Sequence, residues 1–224
     1  MTSFSLKILA ITCMLIDHLG SLILYDSPSY SILRAIGRLC FPIMAYLIAE
    51  GFLHTRNLDR YILRLGAFAL ISEPIFDFAF YSSWAFWDSQ NIFFTLLLGL
   101  LAIQVWETTF TRSKVQGIAL LLALVLLAGL ISADYGGQGV LLVLLCHWGH
   151  KLAPKHGKWA LYGCFLAGTL LLSLSPWILH QIPCMLAVFP IALYNGKRGP
   201  KLTYFFYAFY PLHLLALGIL AKIL

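Results

Sequence analysis

Seven ionisable side chains lie in or just inside the first three apolar stretches of the chain: Asp17, His18, Arg34, Arg38, Glu50, Glu73 and Asp77. At membrane depth such a group costs roughly 2.5–3.5 kcal/mol or more, so it needs a partner or a polar cavity. A histidine that titrates near neutrality next to a carboxylate is useful there mainly for proton transfer, which singles out Asp17-His18. Residues four apart share a helix face. Arg34 and Arg38 therefore form one stripe, and Glu73 and Asp77 form a second that can neutralise it across a helix interface. Arg56, Arg60 and Arg64 form a third, with Asp59 as its single acidic neighbour and so free to bind anions. Glu50 stands one turn from His54. Bland readings stay open beside these: a bundle-fixing ion pair for Arg38, snorkelling for Arg34 and a topology signal for the Arg56 stripe.

The elements that must position these residues follow from composition. Of the 224 residues 61% are hydrophobic and 11% charged, and the mean hydropathy is +0.86. Ordinary globular chains carry about 25% charged residues, so soluble, disordered and disulfide-stapled classes are excluded. A helix needs roughly 20 apolar residues to cross the bilayer. The chain accommodates about nine such spans, over 6–25, 31–53, 61–82, 91–108, 116–133, 137–152, 158–174, 177–194 and 202–222. The expected fold is an all-α polytopic membrane protein, one domain over 1–224, with Ser175-Pro176-Trp177 marking the division between the spans over 158–174 and 177–194. Asp17-His18-Leu19-Gly20 interrupts the first apolar run and no small-x-small cleavage site closes it, so the first span reads as a retained helix and not as a signal peptide.

Short cytoplasmic loops keep an excess of Lys and Arg. With the N-terminus inside, twelve of the fifteen Lys and Arg fall on one side, among them Lys7, Arg56, Lys114, Lys155 and Lys197, whereas Asp26, Asp88 and Asp134 fall on the other. The N-terminus is therefore expected in the cytoplasm and the C-terminus outside. At 1.5 Å per residue His18 lies about 16 Å above Lys7. Arg34, Arg38, Glu73 and Asp77 converge with it on the outer half of the bilayer, and Glu50 stays near the inner side. The +6 net charge is thus a topology signal, and basic residues scattered over loops give no reason to expect a nucleic acid partner. The five cysteines lack C-x-x-C spacing and read as packing residues. Cys146, His147 and His150 are too few ligands to predict a metal. Pro42, Pro74, Pro183, Pro190 and Pro211 break or kink helices and free carbonyls that can line a cavity, and Trp84, Trp87, Trp148, Trp159 and Trp177 read as an interfacial belt.

Several strings carry a resemblance. Leu6-Lys7-Ile8 through Asp17-His18-Leu19-Gly20, Gly37-Arg38-Leu39-Cys40-Phe41-Pro42-Ile43 and Glu50-Gly51-Phe52-Leu53-His54-Thr55-Arg56-Asn57 are three of them. Arg64-Leu65 through Ile71-Ser72-Glu73-Pro74-Ile75-Phe76-Asp77, the segment Asn91 to Gly99 and Phe209-Tyr210-Pro211-Leu212-His213 are the others. Together they resemble the TraX family, grouped with the transmembrane acyltransferase type 3 superfamily. The resemblance implies acetyl transfer to a pilin N-terminus, with acetyl-coenzyme A as cytoplasmic acyl donor. That superfamily carries a basic residue, ten intervening residues and a histidine on its first helix, as Lys7 and His18 do. It also carries a basic motif after the second helix, usually two Arg three apart, where this chain has Arg56, Arg60 and Arg64 four apart.

Acyl transfer to an amine or hydroxyl needs a base, for which His18 is the candidate and His213 the rival on the last span. Asp17 or Glu73 would orient it. Arg38 would stabilise the oxyanion or hold one of those carboxylates. Lys7, Arg56, Arg60 and Arg64 would hold coenzyme A phosphates, with Glu50, Asp77, Asn91 and His213 as further binding candidates and no metal expected. The acceptor stays open among a pilin N-terminus, a cell-wall glycan, a lipid and a small amine, and the expected location is the cytoplasmic (inner) membrane. The runner-up is a proton-coupled secondary transporter using the same Asp, His, Arg and Glu as a relay, although no internal repeat supports it. A non-catalytic membrane assembly factor is a third reading.

Overall fold

The computed structural model describes residues 1–174 and 181–224, so the division at Ser175-Pro176-Trp177 and the place of Trp177 in the belt lie outside the described residues. The described secondary structure is helical. Helix α1 spans Ser3–Leu22, α2 Tyr30–Gly37, α3 Cys40–His54, α4 Leu58–Tyr81 and α5 Ile92–Val105, the last continued by a π-helical turn over Trp106–Phe110. Then come α6 (Lys114–Leu130), α7 (Gly136–His156), α8 (Lys158–Ser173), a 3₁₀ turn Ile182–Ala187, α9 (Val188–Ala192) and α10 (Thr203–Ile223). Among the described residues four stretches are long and apolar enough to cross a membrane: Ser3–Leu22, Tyr30–His54, Ile92–Phe110 and Thr203–Ile223. Helix α6 is shorter and apolar, with Leu126 64% and Leu130 83% exposed.

Local chemistry explains where these helices start and break. Thr2 Oγ1 accepts from Ser5 N (3.2 Å) to cap α1, Asn91 Oδ1 accepts from Phe93 N (2.9 Å) to cap α5, and Ser113 caps α6. The span expected over 31–53 is interrupted at Arg38-Leu39. Pro42 has no N–H, so the Arg38 carbonyl four residues earlier loses its helical donor. Cys184 Sγ donates to that carbonyl instead, at 3.2 Å. The Arg56, Arg60, Arg64 stripe is likewise corrected. Asn57 Oδ1 accepts from Arg60 N (2.8 Å) and starts α4 at Leu58, which leaves Arg56 in the preceding turn and off that helix face.

The helices group into two compact units. The first comprises Met1–Met44, Leu70–Phe86 and Ser173–Leu224. In it α1 packs on α2 and on α10. Close approach is allowed by Gly20, where an added Cβ would sit 3.0 Å from Leu33 Cβ, and by Gly218, where it would sit 3.0 Å from Ala79 Cα. The second comprises Ala45–Ala69 and Trp87–Leu172. There α5 packs between α6 and α7 around Leu98, Ala102, Ala128, Ala133 and Val140. Trp87 and Trp159 are more than 80% exposed. Trp148 departs from the belt expectation, because its ring packs on Trp106 with centroids 4.6 Å apart.

Candidate active site

The candidate side chains of the first unit's polar centre stand on α1, the α2–α3 junction, the C-terminal part of α4 and α10. His18 Nδ1 lies 2.7 Å from His213 Nε2, and the two rings stack with centroids 4.9 Å apart and planes 6° from parallel. His213 Nδ1 lies 2.7 Å from the Phe209 carbonyl oxygen. A carbonyl only accepts, so His213 Nδ1 carries a hydrogen and donates it. In the neutral ring His213 Nε2 is then the acceptor, and His18 Nδ1–H donates to it. That assignment leaves His18 Nε2 with its lone pair, and it makes no hydrogen bond to a described residue. Phe80 and Tyr210 present ring edges to His18, with centroids 5.5 and 6.3 Å away.

The carboxylates are arranged differently from the sequence expectation. Arg34 Nη1 donates to Asp17 Oδ2 at 2.6 Å, with both side chains largely buried. Asp17 lies against Gly37, where a Cβ would overlap the carboxylate, so only glycine permits the approach. Arg34 thus pairs with α1 and not with Glu73 or Asp77, because the turn at Arg38-Leu39 lays α2 along α1. Asp77, 2% exposed, accepts from Phe86 N at 2.8 Å and ties down the loop after α4. His18 is oriented by His213, with neither Asp17 nor Glu73 hydrogen-bonded to it. The charges of Arg34 and Arg38 both bear on Asp17 and on His18.

The remaining candidates lie in the second unit. Glu50 reaches His54 Nδ1 and His150 Nε2, each at 3.5 Å. Arg60 is exposed, and Arg64 packs its guanidinium 5.8 Å from the Tyr61 ring centre. Asn91 is fully buried, and besides its cap its Nδ2 donates to the Ala69 carbonyl at 2.8 Å, clamping α5 to α4. Among the described residues no group of three or more His, Cys, Asp or Glu is placed to hold a metal ion.

The family model for TraX protein matches residues 3–221. The chain belongs to the TraX family. It is 31% identical to a probable fimbrial assembly protein FimC, serogroup H1, of Dichelobacter nodosus, covering 95% of this chain and 93% of that one. It is 28% identical to Protein TraX of Escherichia coli and 29% identical to that of Escherichia coli strain K12, each covering 96% of this chain and 86% of the relative. No solved structure matches.

Two features of this TraX-family chain escape reading from sequence. Cys184 as the donor to Arg38 has no local signal beyond the carbonyl that Pro42 must free. The second is a bridged carboxylate. His147 Nε2 and Lys151 Nζ reach the two oxygens of Glu107 at 2.7 and 2.6 Å. Its one trace is an acid closing an apolar span and a His and Lys one turn apart on another, and the π-helical turn that carries Glu107 has no periodic signature.

Proposed function

We propose that this chain is a membrane-embedded acyltransferase, moving an acyl group, expected to be acetyl, from cytoplasmic acyl-coenzyme A to an amine or hydroxyl at or beyond the outer face of the inner membrane. Its carrying observation is the Phe209 carbonyl–His213–His18 chain, which presents one basic nitrogen, His18 Nε2, to a site walled by aromatic rings. As the acceptor nitrogen or oxygen bonds to the thioester carbon, its proton passes to His18 Nε2, and His213 holds the resulting imidazolium by the Nδ1 bond. The carbonyl oxygen gains charge in the field of Arg34 and Arg38, and Arg38 is the candidate oxyanion partner. Collapse breaks the carbon–sulfur bond and the proton goes to the departing thiolate. Asp17 has a positioning role, holding Arg34 over the site.

The relative named as a probable fimbrial assembly protein and the acetyl transfer implied by the TraX resemblance favour a pilin or fimbrial subunit as acceptor, whose N-terminal amine is a nucleophile of the right kind. Purified protein in lipid nanodiscs should bind radiolabelled acetyl-coenzyme A and pass label to a pilin N-terminal peptide. A transporter or a passive assembly factor would leave the peptide unlabelled.

A further inference from the structure

The loop after α9 folds back onto the start of the chain. The Met1 ammonium donates to the Leu193 carbonyl, and Asn195 N donates to Met1 O at 2.9 Å. Ser3 N and Phe4 N donate to the carbonyls of Lys197 and Arg198, at 2.8 and 3.0 Å. Gly199 has φ +73°, and a Cβ there would stand 2.9 Å from both Phe4 Cβ and Thr2 Oγ1, so this approach needs glycine twice over. The first N–H groups of α1 are therefore already satisfied, and what the fold-back leaves available is side-chain charge. Lys197, Arg198 and Lys201 are exposed on the segment that leads from this fold-back into α10, and Lys7 lies one turn into α1. Lys7, partly buried, has its Nζ 5.5 Å from the Phe206 ring centre on α10, with the Arg198 charge bearing on it.

None of these four cations forms an ion pair with a described residue. The unit's carboxylates are Asp17, Asp26, Glu73 and Asp77. Asp17 is taken by Arg34, and Asp77 by the Phe86 amide. Such an uncompensated cluster favours a multiply charged anion. The site also points somewhere. Eleven residues at 100° each bring His18 to within about 20° of the Lys7 face of α1, and Phe206 and His213 are two turns apart on α10. Both pairs mark one seam between α1 and α10, with the cations at its foot and the basic nitrogen about 16 Å along it.

Resting on the acyl-transfer reading, we infer that Lys7, Lys197, Arg198 and Lys201 form a clamp for the phosphorylated adenosine end of acyl-coenzyme A, so that the thioester arm rises along the α1–α10 seam to His18. The phosphates of that group carry roughly four negative charges, matching the four cations. The notion that the Arg56, Arg60, Arg64 set supplies the main phosphate contacts gives way to a site in the same unit as the catalytic histidines.

The test uses the full chain in nanodiscs of zwitterionic lipid, with direct binding of coenzyme A and of S-acetylpantetheine, which lacks the nucleotide. The triple variant Lys197→Gln, Arg198→Gln, Lys201→Gln leaves the backbone hydrogen bonds intact. Coenzyme A affinity should fall about 30- to 100-fold in it, its salt dependence should flatten, and S-acetylpantetheine turnover should be unchanged. Unaltered coenzyme A affinity overturns the clamp. Unaltered affinity with lost stabilisation by anionic lipid assigns these cations to headgroup phosphates and overturns it equally. Wild-type protein that binds coenzyme A through these charges and yet transfers no acetyl group would count against the reaction and not against the clamp.

Discussion

At the scale of the residue, one hydrogen bond decides the protonation pattern. Because the Phe209 carbonyl claims His213 Nδ1–H, the proposed reaction takes His213 as the orienting ring and His18 as the base. Replacing His213 by Phe keeps a stacked ring and removes the acceptor, so kcat should fall about 10- to 100-fold, as loss of an orienting partner does, with KM unchanged. Transfer that survives His18→Ala and vanishes with His213→Ala would reverse the two roles. The Asp17–Arg34 pair gives a second expectation. Either single substitution to Ala strands a charge in a largely buried place, and the double variant removes both. Thermal unfolding of the set should show coupling of about 0.5–3 kcal/mol, and strict additivity would show that the two charges do not support each other. The spacing of Lys7 and His18 is legible in the sequence, whereas the contact of His18 with a residue 195 positions away is not, since periodicity assigns a face to each helix and no neighbour to it.

Helix positions were legible because apolar runs, caps and prolines report them locally. The break between α2 and α3 is announced by Pro42, but its consequence, Arg34 on Asp17 and not on Glu73 or Asp77, depends on how α2 lies along α1. Small residues carry that packing. Gly37→Ala would drive a Cβ into Asp17, so it should lower the melting temperature and lose activity together. Gly163, in α8, has open space around it, and Gly163→Ala should hold or raise stability by about 0.5–1 kcal/mol through helix propensity alone. Equal responses of the two variants would remove the steric account of Gly37. The π-helical turn was invisible for a related reason: the advantage of inserting Glu107 between His147 and Lys151 comes from α7, far along the chain.

For the whole molecule the charge asymmetry makes the strongest statement. In a cysteine-free background, a Cys introduced at Lys155 should react with an impermeant maleimide only from the cytoplasm, and one at Asp88 only from outside. Labelling of both from one side would contradict the assigned orientation and the direction of transfer built on it. What composition could not supply is the grouping of the helices, because apolar runs state that a segment is buried in lipid or protein and not which segments share a unit. The central claim is that His18 takes the acceptor's proton during acyl transfer from coenzyme A. It is met most directly by steady-state acetyl transfer and coenzyme A binding measured side by side on the reconstituted wild type and His18→Ala. The account predicts turnover lowered about 10²- to 10⁴-fold with coenzyme A affinity and melting temperature near wild type, and a His18→Ala protein that transfers acetyl groups at the wild-type rate would contradict it.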